Sequence, residues 1–112
     1  MANERWWPEF EAVVKAVSST PGTSHAALRQ WAAARGAGGE HAEPPPGTPA
    51  AVPAYVDLVA AQAYRTTDAH IDGLRAAGVV DDEIFEVTAA AAVGAGRRRL
   101  ERALSALEEA GE

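Results

Sequence analysis

The stretch DDEIFEVTAAAAVGAGRRRLERALSAL, residues 81–107, decides how this chain folds. Asp81, Asp82 and Glu83 set negative charge where a helix N-terminus favours it. Ile84, Phe85 and Val87, an alanine run, and then Leu100, Leu104 and Leu107 continue one long helix. Arg97 and Glu101, and Glu101 and Ser105, have the spacing of a solvated face. Gly94 and Gly96 interrupt it at a cost of about 1 kcal/mol each against alanine, so some contact should recover that cost. Ala90/Gly94 and Ala92/Gly96 place small residues one turn apart, where a second backbone can come close. A tight helix–helix contact, within the subunit or across an interface, is the first reading; the floor of a small-molecule pocket is the second. Arg97, Arg98 and Arg99 follow at 100° steps and cannot all face one way. Arg98 and Arg102 share a face, as do Arg99 and Arg102. Solvated surface with salt bridges is the ordinary reading of these arginines and an anion site the alternative.

Just before this stretch Gly78 stands where a helix C′ glycine belongs, closing a fourth helix that begins near Thr67 and turns Ile71 and Leu74 inward. A third helix is expected over about Pro53 to Tyr64, with Val52, Tyr55, Val56, Val59 and Ala63 as its stripe. Gly36 to Pro53 is rich in glycine and proline and reads as extended linker. Before it, Ser24 is an able N-cap for a second helix reaching Arg35, with Ala27, Leu28 and Trp31 on its apolar face. A first helix runs from about Glu4 to Ser18 on Trp6, Phe10, Val13, Val14 and Val17, with Pro8 in its first turn and Thr20-Pro21-Gly22 as its stop. Trp6 belongs to the stripe; Trp7 lies 100° around, placed for exposure or for an interface. No period-two strand pattern appears. The chain therefore reads as all-α, about five helices with the longest at the C-terminus, in one domain: a helical pair (1–35), a linker (36–53) and a C-terminal helical unit (54–110).

Composition narrows the function classes. The 112 residues suit one domain. Of its apolar residues 27 are alanine, each of which removes little area from water, so the core is weakly driven at roughly 25 cal/mol per Å². Burial between subunits would offset the deficit, which makes a homo-oligomer the expected state. The formal charge of −6 argues against a nucleic-acid partner and against anionic membrane surfaces. Zero cysteine excludes disulfides, thiolate metal sites and thiol redox chemistry. Met1 to Phe10 has no basic-then-apolar run, and Val87 to Gly96 is too short to span a bilayer, so a cytoplasmic protein with no membrane association is expected.

Few residues announce chemistry. His25 falls in a first turn and His41 in the linker. His70 lies between Asp68 and Asp72, without the H-x-x-x-H or E-x-x-H spacing of metal pairs, so no metal and no cofactor are expected. Tyr64, Arg65 and Thr66 precede it at a bend between helices, where polar groups can converge on a small-molecule ligand. No Gly-rich phosphate loop, G-x-S-x-G or paired-carboxylate motif is present.

From Val52 onward the run VPAYVDLVAAQAYRTTDAHIDGLRAAGVVDDEIFEVTAAAAVGAGRRRLERALSAL resembles the alkylhydroperoxidase D / carboxymuconolactone decarboxylase superfamily. The order and spacing of several weak features carry the resemblance: a helix ending in Gly78, a short turn, an acidic start at Glu83-Ile84, and a long alanine-rich helix. It implies an all-helical fold of that type and a subunit that associates with copies of itself. Redox-active members carry C-x-x-C-x-x-x-H before this glycine. His70 falls on the family histidine, while the two cysteine positions fall on Ala63 and Thr66, and an upstream glutamate is replaced by Ala50, Ala51 or Val52. A thiolate must attack a peroxide and a second thiol resolve the product, which alanine and threonine cannot do.

The reading that follows is a redox-inactive, self-associating binding or assembly subunit. One alternative is a thiol-independent enzyme acting on a small lactone or carboxylated metabolite, with His70 as general acid or base and Tyr64, Arg65 and Thr66 binding the ligand. The other is a protein-interaction adaptor using the N-terminal helices and linker.

Overall fold

Alanine loses no side-chain entropy in a helix, and the apolar residues recur at helical spacing. The computed structural model of the chain follows that dictate with α1 (Ala2–Ser19), α2 (Ala26–Gly36), α3 (Ala51–Gln62), α4 (Asp68–Ala76) and α5 (Asp81–Gly111), plus a 3-10 turn at Ala63–Arg65. It describes residues 2–19, 21–22, 24–39 and 43–111, without the side chains of 2–7, 18 and 19; among the described residues there is no strand. His41 and the side chains of Trp6 and Trp7 lie outside the described residues.

The fold is organised by one close crossing. The 31-residue α5, about 46 Å long at 1.5 Å per residue, is the surface on which α1, α2 and α3 all pack. Its most extensive contact is with α2. A Cβ placed on Gly94 would run into the Ala33 carbonyl oxygen, and one on Gly36 into the Ala91 carbonyl oxygen. Each glycine thus admits the backbone of the opposite helix, and Ala32, Ala90 and Ala91 are fully buried around the crossing. The cost of Gly94 inside the helix is recovered there. Gly96 is different: a Cβ on it would meet nothing within 4 Å. Two residues on, it is rotated about 200° and faces away. The two small-residue pairs therefore have opposite fates, Ala90/Gly94 inside the chain and Ala92/Gly96 on its surface.

Larger side chains close the core on either side of the crossing. Trp31 of α2, Val56 and Val59 of α3, Leu74 of α4, and Ile84 and Val87 of α5 form one buried cluster. The α4–α5 connection is a Schellman motif: the Val79 N–H donates to the Leu74 carbonyl and the Gly78 N–H to the Arg75 carbonyl. Gly78 sits at φ +91°, which a side chain would oppose. At α4's other end Thr67 is the N-cap of a capping box with His70. The linker also has form. Thr48 donates through both its N–H and its hydroxyl to the Pro45 carbonyl, and Gly47 turns at φ +86°. This brings the chain to α3 two residues before Pro53.

Several sequence expectations shift. The structure starts α1 at Ala2, so Pro8 falls in the second turn instead of the first, where it has no N–H for the carbonyl four residues back. In α2, Ala27 is exposed and Leu28 only half-buried, while Arg29 is buried. Ser24 does not cap α2; His25 holds that position without a side-chain bond. Ser24 instead donates its N–H (2.9 Å) and its hydroxyl (2.7 Å) to Glu86 Oε1 of α5. Arg29 approaches the same oxygen at 3.9 Å and donates to the Val17 carbonyl at 3.0 Å. One carboxylate on α5 thereby fixes the end of α1, the α1–α2 connection and α2.

Three substitutions test this arrangement by urea denaturation. Gly94→Ala should destabilise by about 2 kcal/mol through overpacking against the Ala33 carbonyl, whereas Gly96→Ala should stabilise by up to about 1 kcal/mol. Glu86→Ala strands the buried Arg29 and should cost about 3 kcal/mol.

Candidate functional site

Tyr64 is 84% exposed on the 3-10 turn. Arg65 is exposed and donates to the Gln62 side chain at 3.2 Å. Thr66 is half-buried and donates its N–H to the Ala63 carbonyl. His70 is exposed, and its Nδ1 accepts the Thr67 N–H at 3.0 Å. An accepting Nδ1 puts the proton of the neutral ring on Nε2. His70 does border a groove of ≈ 450 Å³ between α3 and α4. The other walls are Ala51, Ala54, Leu58 and Leu74, with the Tyr55 ring. The Tyr55 hydroxyl is already committed: Thr88 donates to the Ile84 carbonyl at 2.6 Å, so Tyr55 must donate to Thr88 at 2.7 Å. Tyr64, Arg65, Thr66 and Ala63 are not in the groove wall. The structure therefore does not bring the four candidate residues together, and the histidine's observed role is to cap α4.

A second cavity of ≈ 330 Å³ lies beneath the linker, between Pro49, Leu28, Val52, Val79 and Ile84. Its walls are apolar side chains with Tyr55, and Glu83 is the one charged residue in its lining.

The concentration of charge is elsewhere. A cleft of ≈ 480 Å³ opens where the C-terminal ends of α2 and α3 meet the middle of α5. Arg35, Arg98, Arg99 and Arg102 line it, with Asp57 opposite and small residues (Gly36, Gly38, Ala60, Ala61, Ala95) leaving it open. Four of the chain's ten basic residues thus meet at one place on an acidic protein. Each element supplies its part for a local reason. Arg35 is in the last turn of α2, where cations suit the helix dipole, and its guanidinium lies 5.5 Å over the Trp31 ring. It grips Asp57 of α3 with both edges of the fork, Nε to Oδ1 at 2.7 Å and Nη2 to Oδ2 at 2.9 Å. Arg99 donates to the Ala60 carbonyl at 2.9 Å, satisfying an orphan acceptor at the end of α3. Gly38, at φ +105°, makes room for Arg98, whose Nη1 would lie only 3.4 Å from a Cβ there. Arg98 and Arg102, one turn apart, have no ion-pair partner among the described residues. Neighbouring Arg97 differs: it pairs with Glu101 at 3.3 Å and with Glu11 of α1 at 2.8 Å.

The Arg98/Arg102 and Arg99/Arg102 pairings are legible in the sequence. Arg35 and Asp57 were missed, since nothing local marks them: they lie 22 residues apart across the linker.

The Arg35 hydrogen bonds are the main cause holding the Asp57 carboxyl below its usual range, with partial desolvation opposing them. Because the folded value is the lower one, the pair's contribution is complete above the unfolded value of about 3.9 and is lost as pH falls through the folded one. Asp57→Asn should flatten the acid-side fall in melting temperature below about pH 4 without abolishing it, because Arg75 likewise holds Asp81 low. An unchanged slope would contradict the pairing.

No family model matches the chain, and neither a curated protein nor a solved structure is found to match it.

Proposed function

We propose that this chain is a thiol-independent binding and assembly subunit that works as a self-associated pair, with a second copy covering the outer face of α5. The observation that carries this reading is an apolar stripe along that helix left exposed among the described residues. Phe85, Ala89, Ala92, Gly96, Ala103 and Leu107 recur at steps of four, three, four, seven and four, which holds them within a narrow sector. Phe85 is 73% and Leu107 57% exposed, Ala92 and Ala103 are exposed, and the space over Gly96 is open. The opposite face of the same helix already carries the core.

Small residues along the middle of such a stripe let two helix backbones approach closely, and a large apolar residue near each end anchors the contact. An antiparallel second copy centred on Gly96 seats Phe85 of each chain against Leu107 of the other, because the two residues lie equally far from Gly96. The sparse, alanine-rich core supports the same reading, since association buries the apolar area that one chain cannot. So does the resemblance of residues 52–107 to a superfamily of self-associating subunits, of which this chain would be a member without peroxidase chemistry, having Ala63 and Thr66 in place of thiols.

Light scattering at micromolar concentration should give about twice the 11.7 kDa chain mass. Ala92→Glu, at an exposed helical position, should yield the single-chain mass with the helical circular dichroism intact. A wild-type chain that stays at the single-chain mass would overturn the proposal.

A further inference from the structure

We infer that the cleft between the ends of α2 and α3 and the middle of α5 is a binding site for a compact dianion, of the phosphate or small dicarboxylate class, held chiefly by Arg98 and Arg102. This goes beyond self-association and does not depend on it. From the centre of the α5 stripe Arg98 is rotated by about 150° and Arg102 by about 115°, both to the side that faces α2 and α3.

The charge in the cleft is unbalanced. Four guanidiniums face one carboxylate in the cleft. The C-terminal ends of α2 and α3 also point there, each equivalent to roughly half a negative charge. Among the described residues no carboxylate pairs with Arg98 or Arg102, in a chain whose net charge is −6. Sixteen acidic residues were available to neutralise them, and the neighbouring Arg97 does find two carboxylates. Like charges at i, i+3 and i, i+4 on a helix are destabilising, which is the spacing of Arg99 and Arg98 to Arg102. Local structure explains only part of the cluster: Arg35 is tied to Asp57 and Arg99 closes α3. Arg98 and Arg102 are left to the cleft.

Shape and donor chemistry then define the guest. The guanidinium fork matches the paired oxygens of a carboxylate or phosphate and is strongest as a two-pronged contact. Gly36, Gly38, Ala60, Ala61 and Ala95 give the cleft no bulk and no competing side-chain acceptor. At ≈ 480 Å³ it falls within the usual range of small-molecule sites. Two of the arginines are held in place, Arg35 by Asp57 and the Trp31 ring and Arg99 by the Ala60 carbonyl, so part of the site is organised before a ligand arrives. Asp57, kept ionised by Arg35, disfavours a guest of higher negative charge than the cleft can balance.

The test is isothermal titration of the full chain with inorganic phosphate at low ionic strength. One saturable site per chain is expected, with malonate competing and acetate at equal ionic strength failing to compete. The Arg98→Gln/Arg102→Gln variant should weaken phosphate binding at least about tenfold, and Lys15→Gln/Arg65→Gln, an equal loss of charge elsewhere, should leave it unchanged. All four positions are exposed, and circular dichroism reports whether each variant folds. Ala61→Glu, which sets a carboxylate in the cleft wall, should block phosphate by a different route. Absence of a saturable site, equal displacement by acetate, or equal weakening in the Lys15/Arg65 variant would overturn the inference. The same titration on Ala92→Glu separates it from the self-association reading: phosphate binding should persist in the single chain whether or not the wild type pairs.

Discussion

Everything else in this molecule is arranged around the backbone contact between α2 and α5. With Gly36 against the Ala91 carbonyl and Gly94 against the Ala33 carbonyl, the two helices approach as closely as their main chains permit. Such an approach substitutes for bulk. A chain with few large side chains cannot drive its core by area alone, but close-packed backbones gain many small dispersion contacts, which grow weak quickly with any added gap. The same crossing sets where everything later lands. It directs the C-terminal end of α2 toward the middle of α5, so Arg35 reaches the arginines that follow Gly96. It also leaves the opposite face of α5 bare.

Polar interactions refine this frame. Glu86 gathers Ser24 and Arg29 at a single oxygen and fastens the N-terminal pair to α5. A group of this kind contributes little net stability compared with apolar packing, but it penalises any other placement of α2, since a misplaced helix would leave a buried guanidinium and carboxylate apart. Alanine surfaces are smooth and interchangeable, so register must come from groups that are not. The Schellman turn at Gly78 and the Thr67–His70 capping box do the same for α4 at short range.

The two functional faces of α5 follow from its periodicity. One side, through Gly94, is inside; the other, through Gly96, is the exposed apolar stripe on which the proposed self-association rests; the arginines that line the cleft lie between them. A 31-residue helix is long enough to hold these three assignments at once, and its length beyond the core accounts for the exposure of Leu107. His70, by contrast, lies at the other end of the chain's packing, beside an apolar groove and bonded to its own N-cap.

Local chemistry was readable from residues alone: five helices, the long C-terminal one, the glycine closure at Gly78, the acidic start at Asp81 and the absence of any thiol. Each depends on neighbours within a turn or two, and such propensities are written in consecutive residues. Tertiary structure decided which glycine faces inward, why Ser24 is not a cap, why Arg29 is buried, and that Arg35 and Asp57 complete a cleft begun by Arg98 and Arg102. Those outcomes depend on pairings across 22 to 62 residues. An alanine-rich pattern leaves them open, because nearly every face of such a helix is small enough to pack, and only the geometry of the crossing selects one.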